Sequence, residues 1–293
     1  MPRIPNWALD CSIYLYPSEA DAHSGEKAGG TGFIASTRSA VHEGWYHTYA
    51  VTAGHVVNRN LGNSPVIRCN ATDRGTIIQG YACDDWHQHP DGDDVAVLPL
   101  EGMSDAKMKF VHVGTEHFIT GKRIEDMGVG AGDDVFMVGR FIGHDGKQAN
   151  LPSARFGNIS MMPDEPLTTP LGIEQESFLV EMRSLSGYSG SPVFVYFWPM
   201  EREMFEYDPV HYPMGPWLLG VDWCHIQTYD PVLEKNGKTA VQEGYVVQSN
   251  TGMAGVVPAW RLQEFLDSSC FNDFRQRDDE DIAKAITGGA TFG

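Results

Sequence analysis

The chain has 293 residues, 42% of them hydrophobic and 20% charged, which suits a globular protein of one or two domains with a sizeable core. Its formal net charge of −18 repels phosphate backbones and argues against a nucleic-acid partner. No run approaches the roughly 20 apolar residues of a membrane helix, and the first residues, Met1 to Trp7, lack a secretory h-region, so the expected location is the cytoplasm with no membrane contact. Short apolar runs, broken by Gly, Pro, Asn and Asp, then recur about every ten residues. Ser12–Tyr16, Gly32–Ala35, Tyr49–Thr52, Val66–Cys69 and Val95–Leu98 read as strands of an all-β unit. A connector follows around Thr115–Asp126. Val135–Val138, Phe156–Ser160, Phe178–Glu181, Pro192–Tyr196, Leu218–Trp223 and Tyr245–Val247 read as a second such unit. Asn236-Gly237 is a hairpin-turn signal. From Pro258 to Leu266 the period changes: Leu262, Phe265 and Leu266 share a helical face. The tail from Arg275 has no such face throughout and is expected to be mobile.

Three segments carry chemistry. In Gly187-Tyr188-Ser189-Gly190-Ser191-Pro192-Val193-Phe194, a serine between glycines precedes a run of strand formers. Glycines permit the tight turn that a nucleophilic hydroxyl needs, and backbone N–H groups around such a turn can converge on a developing oxyanion. In Ala50-Val51-Thr52-Ala53-Gly54-His55-Val56-Val57, a histidine ends an apolar strand among small neighbours. In Asp93-Asp94-Val95-Ala96-Val97-Leu98-Pro99-Leu100, acids sit directly before another strand. Either Asp93 or Asp94 fits the acid's place, with Asp84 and Asp85 more distant candidates. The chain order is His, Asp, Ser, which separates this set from two other arrangements of the same triad.

These segments resemble the trypsin/chymotrypsin-fold serine proteases, nearer to the compact bacterial, HtrA-type branch than to the digestive enzymes. The resemblance spans residues 10 to 268. It runs through GTGFIA, TAGHVV, DDVAVLPL, GDDVFMVGR, GYSGSPVF, LLGVDW and GMAGVVP in order. It implies two packed six-stranded antiparallel β-barrels with a C-terminal helix. Residues 1–118 would carry His and Asp, 119–257 would carry Ser, and 258–293 would form the helix and tail. It implies a catalytic set of His55, Asp94 and Ser189, Asp94 being the acid that directly precedes Val-Ala-Val. The oxyanion hole would use the N–H groups of Gly187 and Ser189. The substrate pocket would be walled by Arg183 and Ser184, by Trp223 to His225, and by Gly252 to Ala254. Arg183 stands near the place that sets side-chain preference in the family, so an acidic P1 residue competes with a small or apolar one. Where digestive relatives carry an aspartate that pairs with a newly cut N-terminus, this chain has Tyr188. Control by a loop rearrangement or a regulatory protein is then more plausible than N-terminal clipping.

The implied activity is endopeptidase, acting on a protein or peptide substrate without a cofactor. A catalytically silent protease-like binding module and a serine esterase are the alternatives. No PDZ-type second module is expected in the remaining length. The five cysteines (Cys11, Cys69, Cys83, Cys224, Cys270) are odd in number and lack a CxxC pair, as expected of free thiols in a reducing compartment. His87, His89, His112 and His117 lack metal-site spacing and read as loop histidines, so no metal is expected. Gly128-x-Gly130-x-Gly132 precedes a strand and reads as a turn, not a nucleotide loop. Residues 198–217, rich in Met, Tyr, Phe and Pro, are longer than a hairpin needs and read as an insertion that either shapes substrate binding or packs on itself.

Overall fold

A computed structural model describes residues 3–27, 29–62, 64–73, 75–101, 108–109, 111–141, 146–169, 172–182, 187–196, 215–233 and 245–287. Its N-terminal half opens with a short helix α1 (Asn6–Asp10), then β1 (Ser12–Tyr16), α2 (Glu19–Ser24), β2 (Gly30–Arg38) and β3 (Tyr46–Thr52). There follow β4 (Val66–Asn70), β5 (Thr76–Gly80), β6 (His87–Gln88), β7 (Ala96–Pro99) and β8 (Val113–Gly114). After helix α3 (Gly121–Met127) come β9 (Asp134–Gly139), β10 (Ser153–Met161), a hairpin of β11 (Leu167–Thr168) and β12 (Glu174–Gln175), β13 (Phe178–Glu181) and β14 (Pro192–Val195). The long strands β15 (Trp217–Pro231) and β16 (Val246–Pro258) precede helices α4 (Ala259–Asp267) and α5 (Asn272–Thr287).

The second half closes into a barrel in the order β10-β13-β16-β15-β14-β9. The first half forms an eight-stranded sheet ordered β5-β4-β1-β2-β3-β7-β6, with β8 beside β2. With the short β6 and β8 set aside, both sheets follow one cyclic order of their six main strands. Among the described residues the first is open between β5 and the β7–β6 edge, where no strand pairing joins them. The architecture is all-β and chymotrypsin-like, as the resemblance implies, but only one of its two six-strand sets is a closed barrel by pairing.

The reason for this order is visible in burial. Strand β1, with Ser12 to Tyr16 all buried, lies between β2 and β4. The apolar runs noted above fall on strands, β14 among them, and most of their buried side chains join one large core, while Tyr14, Tyr16 and Val66 form a smaller one and Phe156 and Tyr245 to Val247 are exposed. The connector from Thr115 is not featureless. Ile119 N–H donates to Leu218 O at 2.9 Å, and helix α3 packs Arg123 over the Trp217 ring. Trp7 of α1 meets Phe194 edge-on, so the start of the chain seals the second barrel.

The tail differs from expectation. Residues 272–287 are helical, with Phe274 and Ile282 buried. The apolar stripe is too sparse to read from sequence, and polar contacts complete the docking. Arg275 reaches back to Leu266 O and Ser268 O, while Asp278 meets His47 at 2.7 Å and Asp279 meets Ser39 at 2.7 Å. The Asn236-Gly237 turn and nearly all of the 198–217 insertion lie outside the described residues.

All five cysteines are free thiols. Burial pushes the Cys69 thiol up to about 12 and raises Cys11 further, so neither offers a thiolate at neutral pH. The expected outcome of a native thiol titration is prompt reaction at exposed Cys270, none at Cys11 and Cys69, and five equivalents after denaturation. Rapid native reaction of all five would contradict this packing.

Candidate active site

His55 stands just past the end of β3, at the start of the helical turn Val56–Asn60. Asp94 stands two residues before β7, the neighbour of β3 in the sheet. Adjacent strand ends therefore bring the two together. Asp94 Oδ2 lies 2.6 Å from His55 Nδ1, and Asp94 Oδ1 accepts the His55 backbone N–H at 2.7 Å. The two contacts fix both the ring and its backbone. Nε2 is left as the ring nitrogen that faces away from the acid. The pair is partly open to solvent, with side chains 27% and 20% exposed.

Of the competing acids, Asp93 turns the other way. Its carboxylate is buried and accepts from Arg261 Nε of α4 at 2.7 Å. The chain turns tightly at Asp94, where the Val95 N–H donates to Asp93 O at 2.7 Å, so the two carboxylates leave it in different directions. Asp85 caps a short helical turn by accepting the Ala82 N–H. Only Asp94 among these meets His55.

The loop carrying Ser189 reaches the same region from the second barrel. Gly187 (φ 98°) and Gly190 (φ 87°) both adopt positive φ, which a side chain rarely tolerates. A Cβ on Gly190 would lie 2.1 Å from Thr31 O and 2.9 Å from Ala53 N, so the loop lies flat against the ends of β2 and β3. Thr31 Oγ1 donates to Gly187 O at 2.7 Å, and Thr31 N–H donates to Ser189 O at 3.0 Å. Gly190 N–H donates to Asp222 O of β15 at 2.7 Å. Ser189 is thereby set beside the Ala53-Gly54-His55 segment. None of the described hydrogen bonds joins its Oγ to the His55 ring.

The cleft at His55 encloses about 590 Å³. His55, Asp94, Ile173, Gln175, Trp223 and Cys224 are among the residues that line it. Trp223 and Cys224, which the resemblance puts in the substrate-pocket wall, are two of the residues that line this cleft. Trp223 is anchored by its Nε1 donating to Ser177 Oγ at 2.7 Å. His225 pairs with Ala254 across β15 and β16, and Gly252 lies further along β16. Neither lines this cleft. Arg183 and Ser184 lie outside the described residues. The Cys224 thiol is held up to about 12, first by burial and then by the Asp222 charge. It is a weak nucleophile despite its position. The described residues contain no group of three or more His, Cys, Asp or Glu able to hold a metal.

Sequence reasoning missed Gln175. The β11–β12 hairpin brings it from the second half across to the acid, where its Oε1 accepts the Asp94 N–H at 2.7 Å. It is buried, and its Nε2 has no partner among the described residues. A glutamine at the end of a two-residue strand carries no signal in a single sequence.

No family model matches the chain, and no curated protein is detectably similar in sequence. The chain is similar to these solved structures. The crystal structure of Deg5 is 14% identical over 75% of this chain and 81% of its own, with a TM-score of 0.45. Rv3671c protease in an inactive form is 14% identical over 87% of each chain, with a TM-score of 0.44. The HtrA-type protease AlgW with a decapeptide is 14% identical over 89% of this chain and 66% of its own, with a TM-score of 0.46.

Replacing Gln175 with Ala leaves the part-buried Asp94 N–H without its acceptor. The expected cost is about 1–3 kcal/mol of stability, measured by urea unfolding. Unchanged stability would show that the hairpin contact is incidental.

Proposed function

We propose that this protein is a serine endopeptidase in which Ser189 is the nucleophile, His55 the general base and Asp94 its orienting acid. The observation that carries the reading is the double contact of Asp94 with His55, at the ring and at the backbone, beside a serine loop docked on the neighbouring strand ends. With Nδ1 held by the carboxylate, Nε2 is the nitrogen that accepts the Ser189 proton as Oγ attacks the scissile carbonyl. Asp94 stabilises the imidazolium so formed. The carbonyl oxygen becomes an oxyanion, held by the N–H groups of Gly187 and Ser189. His55 then returns the proton to the leaving amine, and water, activated by the same ring, hydrolyses the acyl-enzyme.

The proposed substrate is a peptide or protein chain, and a regulatory protein is the proposed means of control. Arg183, Ser184, Trp223, His225 and Gly252 are the proposed substrate contacts. Of these, Trp223 and its neighbour Cys224 have the direct support of lining the cleft. Among the described residues no helix is long and apolar enough to cross a membrane. Five free thiols support a reducing compartment, and we place the protein in the cytoplasm.

A fluorophosphonate probe should label the wild type and leave Ser189→Ala unlabelled. Peptide hydrolysis should fall about 10⁶-fold in Ser189→Ala or His55→Ala, with the double variant little worse than either, because the groups act as a unit. Full hydrolysis by Ser189→Ala would end this reading. A folded wild type that neither labels nor hydrolyses would instead support a silent binding module. Labelling with ester but no amide turnover would support an esterase.

A further inference from the structure

The residue between the two proposed oxyanion donors is Tyr188. It is fully buried, and its hydroxyl meets Ser153 Oγ and accepts from Arg155 Nε at 3.0 Å. Ser153 and Arg155 are two apart on β10, so both side chains leave the same face of the strand and converge on one point. The Arg155 guanidinium also lies 5.5 Å from the Tyr188 ring centre and 5.2 Å from that of Phe141. Under the ring is Gly139, paired with Ser153 across β9 and β10. A Cβ there would come within 2.9 Å of Tyr188 Cδ1, so the backbone leaves room for this tyrosine.

Backbone contacts bracket the same residue. Thr31 holds the carbonyls of Gly187 and Ser189, on either side of Tyr188. Tyr188 O accepts the Ser191 N–H at 2.8 Å. In a trans peptide the N–H points opposite to the carbonyl. That hydrogen bond therefore sets the direction of the Ser189 N–H, one of the two donors. The loop's glycines give it little stiffness of their own. Among the described residues of the loop, Tyr188 is the one with a long side chain anchored in the second barrel.

Resting on the protease reading, we infer that Tyr188 is a positioning residue: braced by Arg155 and Ser153, it holds the peptide planes of the nucleophile loop in the arrangement that receives the oxyanion. The brace is preassembled in the chain. The planar fork of Arg155 suits a fixed hydroxyl better than the ammonium of a lysine does.

The test is Tyr188→Phe, which keeps the ring and removes the hydroxyl, with Arg155→Lys as a milder second variant. Three readouts are needed: kcat and KM separately, the rate of fluorophosphonate labelling, and hydrogen exchange of peptides spanning 187–190. In Tyr188→Phe, kcat and labelling should fall roughly 10- to 100-fold with KM little changed, the scale expected when reacting groups are displaced by a fraction of an ångström to an ångström. Exchange at 187–190 should quicken while the rest of the barrel keeps its protection. Arg155→Lys should fall between wild type and Tyr188→Phe on each readout. A variant that loses only melting temperature, with kcat, labelling and local exchange as in wild type, would overturn the inference and leave Tyr188 a core residue. If the wild type itself neither labels nor turns over, the protease reading fails. The exchange measurement then decides the brace by itself: unchanged protection at 187–190 overturns it, and faster exchange there upholds it.

Discussion

Thr31 is the point on which the two halves of this molecule agree. It is fully buried, and it uses every polar group it has. Its N–H and hydroxyl donate to the carbonyls of Ser189 and Gly187, its hydroxyl also accepts the Arg140 N–H at 3.0 Å, and its carbonyl accepts from Thr52 Oγ1 at 2.7 Å. One residue on β2 thus ties β3, the end of β9 and the serine loop together. Buried polar groups are costly unless paired, so this network specifies one docking of the second half on the first. It sets the Ser189 loop against the strand end that leads to His55.

A second bridge works in the opposite direction. The β11–β12 hairpin of the second half extends Gln175 to the backbone of Asp94 in the first. Arg68, on β4, adds a third. It is buried, and it donates to Asn150 Oδ1 at 2.7 Å and to Ala22 O and Gly146 O at 2.9 Å, so the chain leading into β10 is held to the first sheet. The candidate site sits where the first two of these bridges meet. Its parts are brought together by contacts that cross between the halves rather than by any single rigid element.

Much of this was legible in the sequence, for reasons that differ by residue. Glycine and small residues around His55 and Ser189 mark strand ends and turns directly. Period-2 and continuous apolar runs mark β2, β3, β7, β9 and β14. The residues alone leave Asp93 and Asp94 open, because both precede the same strand, and the resemblance selects Asp94; in the structure Arg261 holds the buried Asp93 carboxylate away from His55. The opening between β5 and the β7–β6 edge has no local signature, since pairing between distant strands depends on twist and on what fills the gap. Helix α5 was missed because Phe274 and Ile282 are two turns apart on an otherwise polar helix, which docks through His47, Ser39 and two backbone carbonyls. Gln175 and the Tyr188–Arg155 contact join residues far apart in sequence and carry no motif.

The central claim is that Ser189 Oγ, and no other nucleophile near the cleft, takes up an acyl group. Intact-protein mass spectrometry after acid quench of a reaction with an activated peptide ester measures this directly, with peptide mapping to place the adduct. The account predicts one added acyl group, mapped to the peptide containing Ser189. An acyl group found on Cys224 or Cys270, or turnover of the ester with no adduct that depends on Ser189, would contradict it.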